Sequence, residues 1–574
     1  MRVTRRARDG GFVMQVYEAI VRGLESLGVQ TAFGGNGENI ASLTLALDRS
    51  KTIRPILTRH EQAAAYMACG YSMFTKNLGV CFATVGPGAF NMITGLAVAM
   101  SDCYPVLALT GYIDTRWEGR GAVNDTSGRN PTPDSQALFA ATTKRSFKIT
   151  DVDQTCDLLE EAVNIALEGR PGPVQVAVAQ NLTHPHVHVP DYHDPRLSAT
   201  PPQPDTVAVE EIAAALATAL AGRSKVLLLA GFGAVHGGAQ GEVKRFAERF
   251  QVPVVTKLDG KGVIAEDHRL CVGVFSESGH ASAWKAFREA DVVLAVGNSL
   301  NQHATFGLSE DLFDDKTLIQ VNISAEEIGK FYPVDHGLVS DARPGLAAIT
   351  DALAAKIGPL PPVDVDGQDY QARHIPHVTG NIHPGQLAQM MGAMLPPSGV
   401  ILADAGAHLA WLGYYLELEE GQNFCKCGTF GPMAAHTNAD IGLKAAQPHR
   451  TVVVGCGRLL RDGRVRADDR GREQPAGDLG DLQRRPVQAR QALPARELRQ
   501  DRSRRARSTR LRRLCPRLRG RRVHRGLPGG VPECIRRGAR LTAPERHRRE
   551  DHPLGAAALQ QLPQGDTARH LGDA

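Results

Sequence analysis

From Arg458 to Ala574 the chain contains no Lys, Phe, Tyr, Trp, Met or Asn, and a single Ile. A stretch of 117 residues without aromatics cannot assemble an apolar core, so disorder is its expected state. It carries 30 Arg against 14 acidic side chains, whereas residues 1–457 carry 36 basic and 47 acidic ones. The net charge of +5 therefore conceals an acidic body with a basic tail. A basic, nucleic-acid-binding protein is the wrong description of such a chain. The composition changes directly after Gly455-Cys456-Gly457. A folded architecture has to be sought before that point.

That body reads as a soluble protein in a reducing compartment. No run of about 18 apolar residues is present, which argues against a membrane span. The N-terminus, MRVTRRARDGGFVMQVYEAI, is basic but lacks an apolar segment of the secretory kind. The ten cysteines are scattered, and Cys425 and Cys427 lack zinc spacing. A cytoplasmic location is the expectation.

Helical and strand patterns alternate along residues 14–185. A helical period from Val16 to Leu27 precedes the short strands TAFGG and PILTR. HEQAAAYMACGYSMF reads as a helix and GVCFATV as a strand. The turn Gly86-Pro87-Gly88 then opens the helix AFNMITGLAVAM, and PVLALTG is the next strand. Continuous apolar strands between helices predict parallel sheets covered on both faces. A Pro- and His-rich stretch at 183–205 reads as a linker, because no second ligand cluster supports a metal site. A second α/β unit is expected over 206–355, a further Pro-rich linker over 356–382, and a third unit from His383 to Gly457. The expected fold is three Rossmann-like parallel-sheet domains, the third truncated and followed by a disordered tail.

Gly-rich turns follow strands in each unit. GFG at 231–233 is not completed to GxGxxG, which argues against a nicotinamide site. The order of motifs says more: TRHEQAAA after a strand, GPGAFN between strand and helix, then DAG and GPM turns in the third unit. In that order the chain resembles the thiamine-diphosphate enzymes of the acetolactate synthase and 2-oxoacid decarboxylase superfamily, over residues 14–457. The resemblance implies that residues 14–185 bind the pyrimidine, 206–355 form the central domain and 383–457 begin the diphosphate-binding domain. It also implies a homodimer or homotetramer, with the cofactor held between the first unit of one chain and the third of another.

By the same resemblance Glu61 is the catalytic carboxylate, which moves a proton at a ring nitrogen of the aminopyrimidine. Gly86, Gly88 and Asn91 match the turn at the cofactor interface, where glycine lets the backbone come close. Gly406 and His408 in Asp404-Ala405-Gly406-Ala407-His408 match the diphosphate side, although Ala407 replaces a frequent glutamine. Gly431 and Met433 match a turn whose methionine bends the cofactor, although Pro432 departs from the pattern. Relatives continue the last strand into Gly-Asp-Gly, whose aspartate holds Mg²⁺ against the diphosphate. Here Gly457 is followed by Arg458, so the metal ligand is missing where the composition breaks.

A shift of reading frame explains that coincidence. Codons for RLLRDGRVRADDR, read from their second nucleotide, can spell GCFVMGGFELMT. Those for GDLGDLQR can spell VIWVIFND, and those for VQARQALPARELRQ can spell FKLVKLYQLANYGK. The recovered string holds a helix, an apolar strand and an Asn-Asp pair, as the missing half of the metal site would. The rival readings are a genuine basic tail and a catalytically dead product.

The resemblance implies a small 2-oxoacid or related carbonyl substrate, whose C–C bond is cleaved and whose fragment is protonated or joined to a second carbonyl. Acetolactate-synthase-like chemistry is the first reading, and a 2-oxoacid decarboxylase or carboligase the second. Synthases carry Phe-Gln-Glu where this chain has Val123-Asn124-Asp125. The run Ser299-Leu300-Asn301-Gln302-His303 lacks the arginines and aspartates that accompany FAD in them. FAD is therefore not expected.

Overall fold

The computed structural model describes residues 14–365, 375, 383–426 and 428–455. Gly457 and the segment 458–574 lie outside the described residues. The expected layering forms, and every paired strand is parallel to its neighbour.

The first sheet comprises β1 (Thr31–Gly34), β2 (Arg54–Leu57), β3 (Gly79–Ala83), β4 (Val106–Tyr112), β5 (Arg145–Ile149) and β6 (Pro173–Ala179), in the order β2-β1-β3-β4-β6-β5. Its inner strands β3, β4 and β6 are buried along their whole length, as continuous apolar runs require. The second sheet comprises β7 (Val226–Ala230), β8 (Val254–Thr256), β9 (Cys271–Val274), β10 (Val292–Val296), β11 (Thr317–Asn322) and β12 (His336–Val339), in the order β12-β11-β10-β7-β8-β9. The third comprises β13 (Val400–Ala403), β14 (Asn423–Lys426) and β15 (Val452–Gly455), in the order β14-β13-β15.

The segment 183–205 is not a free linker. Pro195 lies against Gly23, and the Asn164 side chain bonds the backbone of Arg196, Ser198 and Ala199. Its prolines and polar residues give it no period, yet they pin it to two helices of the first unit.

Two helices place the site. The first, α1 (Glu61–Ser72), starts where His60 turns extended and its Nδ1 accepts the Gln62 N–H. It is Ala-rich because it is sandwiched. On one side lies α3 (Ile93–Ser101), which follows the short α2 (Pro87–Asn91), and Gly95 faces Ala65 there. Later in the chain come α4 (His408–Tyr415) and α5 (Ala435–Ala446). α5 covers the other side of α1, and its Gly442 rides on the backbone of Met67 while Gly70 of α1 rides on Ala439.

This seam has no room for a methyl group. A Cβ on Gly442 would stand 1.8 Å from the Met67 carbonyl oxygen, and one on Gly70 would stand 1.9 Å from that of Ala439. Backbone atoms cannot swing aside, so the helices would have to separate. Gly442→Ala should therefore destabilise the protein by about 2 kcal/mol or more, despite a propensity gain of about 1 kcal/mol. Gly241→Ala is the control, because a Cβ there meets nothing within 4 Å and should be neutral or mildly stabilising. Denaturant unfolding of both variants checks this, and equal midpoints would show that the seam yields.

Candidate active site

Glu61 stands at the start of α1 with its carboxyl in a notch between two glycines. A Cβ on Gly35, just past β1, would come within 3.4 Å of Glu61 Oε1, and one on Gly88 would come within 3.1 Å. Asn91 Nδ2 donates to Glu61 Oε2 at 3.0 Å. The two oxygens are thereby distinguished. Oε2 is held as an acceptor, and Oε1 faces the notch. Gly86 makes the turn possible with φ +66°, and Pro87 takes the first helical position, where its missing N–H costs nothing. The structure thus brings Glu61, Gly86, Gly88 and Asn91 together. It adds Gly35, whose part was hidden because TAFGG reads only as the end of a strand.

The residues expected on the diphosphate side gather at the C-terminal end of β13. Asp404 is fully buried, and its carboxylate accepts the His436 N–H at 2.8 Å and the Thr437 hydroxyl at 2.6 Å. It ties β13 to the start of α5 and leaves ligand contact to the residues after it. Gly406 lets the chain fold back on the His408 ring, since a Cβ there would lie 2.9 Å from Nδ1. His408 is half-buried, and burial pushes its pKa down, offset in part by the Asp404 backbone and charge and by the Gly455 backbone. A neutral imidazole keeps one N–H donor. His436, buried beside Asp404 and 3.6 Å from Cys425 Sγ, is pushed down to about 4 by burial. A Cβ on Gly431, at φ +55°, would stand 4.0 Å from the Ala405 Cβ, so its turn neighbours the one that follows β13. Met433 is 67% exposed.

These two groups do not meet within one chain. Met67 opposes Gly442 and Gly70 opposes Ala439, so α1 and α5 run antiparallel across their seam. Glu61 lies nine residues before Gly70, and Met433 six before Ala439, at opposite ends. At 1.5 Å per helical residue the two sets are roughly 20 Å apart.

Among the described residues no group of three or more His, Cys, Asp or Glu side chains could hold a metal ion. Gly457, the remaining cofactor-side residue of the sequence reading, lies outside the described residues. No helix among the described residues is long and apolar enough to cross a membrane.

Residues 14–131 match the family model described as thiamine pyrophosphate enzyme, N-terminal TPP binding domain, and 213–349 match the thiamine pyrophosphate enzyme central domain. The chain belongs to the thiamine pyrophosphate enzyme family. It is similar to a probable acetolactate synthase large subunit of Methanocaldococcus jannaschii, 31% identical over 77% of this chain and 75% of that protein. An acetolactate synthase of Mycobacterium bovis is 29% identical over 75% of this chain and 69% of its own. The acetolactate synthase large subunit of Corynebacterium glutamicum is 29% identical over 76% and 69%.

Proposed function

We propose that this chain is built as an acetolactate-synthase-like enzyme, which cleaves a 2-oxoacid or related carbonyl compound and forms a new C–C bond with the fragment. The observation that carries the reading is the Glu61 notch, where two glycines come up against Oε1 with no Cβ between and Asn91 fixes Oε2. A planar ring can approach a carboxyl only where no Cβ intervenes, so the notch fits the aminopyrimidine of thiamine diphosphate. That cofactor, when bound, supplies a nucleophilic carbon able to take up the fragment that loses its carboxylate. Glu61 holds a proton on Oε1 and passes it to a ring nitrogen, because Oε2 is occupied as an acceptor. The first amides of α4 and the His408 ring suit phosphate oxygens. Met433, exposed beside them, is available to the cofactor's flank.

The separation of about 20 Å between the two residue sets supports a homo-oligomer, in which one copy supplies Glu61 and another His408 and Met433. Mg²⁺ does not fit the chain as written, since Arg458 stands where an aspartate is needed. We attribute this to the shifted frame. The run 299–303 supports an enzyme without flavin: Leu300 turns into the core, and Asn301 caps the short turn that follows it.

Enzyme with the frame restored, given pyruvate, thiamine diphosphate and Mg²⁺, should release CO₂, yield a condensed product and remain colourless. Failure to consume any 2-oxoacid would remove the activity, and stoichiometric flavin released on denaturation would remove the flavin-free reading.

A further inference from the structure

α3 ends on an acidic side chain, the wrong charge for a helix C-terminus. Asp102 follows Ser101 there and is 4% exposed. Within its own unit the carboxyl accepts from the Ser101 hydroxyl, at 2.6 Å to Oδ1. A second bond comes from the third unit: the Gly428 N–H donates to Oδ2 at 3.1 Å, and a Cβ on Gly428 would collide with Oδ1. Burial raises the Asp102 pKa, and the bonds from Ser101 and Gly428 offset that rise in part. The local setting thus opposes an acid at this position, and the contact that favours it lies across the junction with the third unit.

Gly428 opens the turn that carries Met433. That turn contains two left-handed residues, Gly431 at φ +55° and Ala434 at φ +68°, and alanine adopts this conformation only at a cost. Such a turn depends on anchors at its ends. At its far end Asp404 holds His436 and Thr437, the first residues of α5. At its near end the anchors belong to the other two units. Tyr104 Oη lies 3.7 Å from Cys425 Sγ, Lys426 Nζ lies 3.7 Å from Asp259 Oδ2, and Asp102 takes the Gly428 N–H. Between the two ends Met433 stands exposed.

Resting on the reading proposed above, we infer that Asp102 is a positioning residue: from the first unit it sets the place of the turn 428–434 in the third unit of the same chain, and so the point at which Met433 meets the cofactor's flank. It touches neither cofactor nor substrate and acts through the Gly428 amide. The contact requires an acceptor at Oδ2 and not a full negative charge, so an amide of the same shape can replace the carboxyl.

Hydrogen exchange of the 574-residue chain, with no cofactor present, reads the contact itself. In Asp102→Ala the peptide spanning 428–434 should exchange about tenfold faster, while peptides of β4 and α1 keep the rates of the unsubstituted chain. Asp102→Ser, too short to reach Gly428, takes the place of the alanine variant if that one does not fold. In the enzyme with its frame restored, Asp102→Ala should lower kcat about 10–100-fold, the effect of a misplacement on the order of 1 Å. Asp102→Asn should recover turnover to within about threefold, since its amide oxygen accepts the same N–H. Met433→Ala should lower kcat to a similar extent, and the double variant should fall no more than about twofold below the poorer single one, because both changes act at one point. Unchanged exchange at 428–434, losses that multiply in the double variant, or no recovery with asparagine would overturn the role. A restored enzyme that binds no thiamine diphosphate would remove the cofactor reading, and this role with it, even where the exchange result holds.

Discussion

Glu61→Gln should slow turnover by roughly 10²–10⁴-fold, the usual consequence of losing a positioned proton-transfer group. The substitution keeps the size and shape of the side chain, and its amide oxygen can still accept from Asn91 Nδ2, now 3.0 Å from Oε2. The notch between Gly35 and Gly88 stays open, because no Cβ is added at either glycine. Cofactor affinity should therefore remain within about tenfold, since one hydrogen bond of ordinary strength is altered. What disappears is the ability of Oε1 to give up and regain a proton. Steady-state rates and a cofactor titration of the same preparation separate the two effects. Turnover near that of the unsubstituted enzyme would remove Glu61 from the catalytic role.

Part of this site was legible in the sequence because its residues are neighbours in the chain or lie in motifs. HEQAAA places Glu61 at a helix start, and GPGAFN places Gly88 and Asn91 on the next turn; the fold then sets them side by side. The parallel layering followed from apolar strands such as GVCFATV, whose burial on both faces leaves no alternation. Contacts made through space were not legible. Gly35 meets Glu61 only because β1 lies between β2 and β3. Asn124 rests on Gly86 across a loop with no period at all. Asp404 gave no sign that its carboxylate would cap α5, since the capped residues lie more than thirty positions away. The stretch 183–205 read as a linker because prolines and histidines lack a period, yet its anchoring depends on Gly23 and Asn164 elsewhere in the chain.

The second large effect concerns the diphosphate. Its negative charges must leave water when it binds, and burying them without a cation costs several kcal/mol or more per charge. The described residues offer His408, whose pKa burial lowers, and backbone amides, but no cluster of three or more His, Cys, Asp or Glu side chains that could hold a metal ion. After Gly457 the chain as written supplies arginines and no aromatic side chain with which to fix them. Guanidinium groups without a core cannot be set at fixed distances, and salt screens them beyond about 10 Å. In the shifted frame we propose, the same codons can spell an apolar strand that ends in Asn-Asp, a pair of oxygen ligands suited to a hard cation.

Calorimetric titration with thiamine diphosphate and Mg²⁺, run on the 574-residue chain and on the same chain with its frame restored after Gly457, tests the account most directly. The restored chain should bind at micromolar concentration, lose that binding when Mg²⁺ is chelated, and exceed the chain as written by at least about 100-fold, a difference of about 2.7 kcal/mol. Equal, Mg²⁺-dependent binding by the chain as written would contradict the frame shift, and no binding by either would contradict the cofactor site itself.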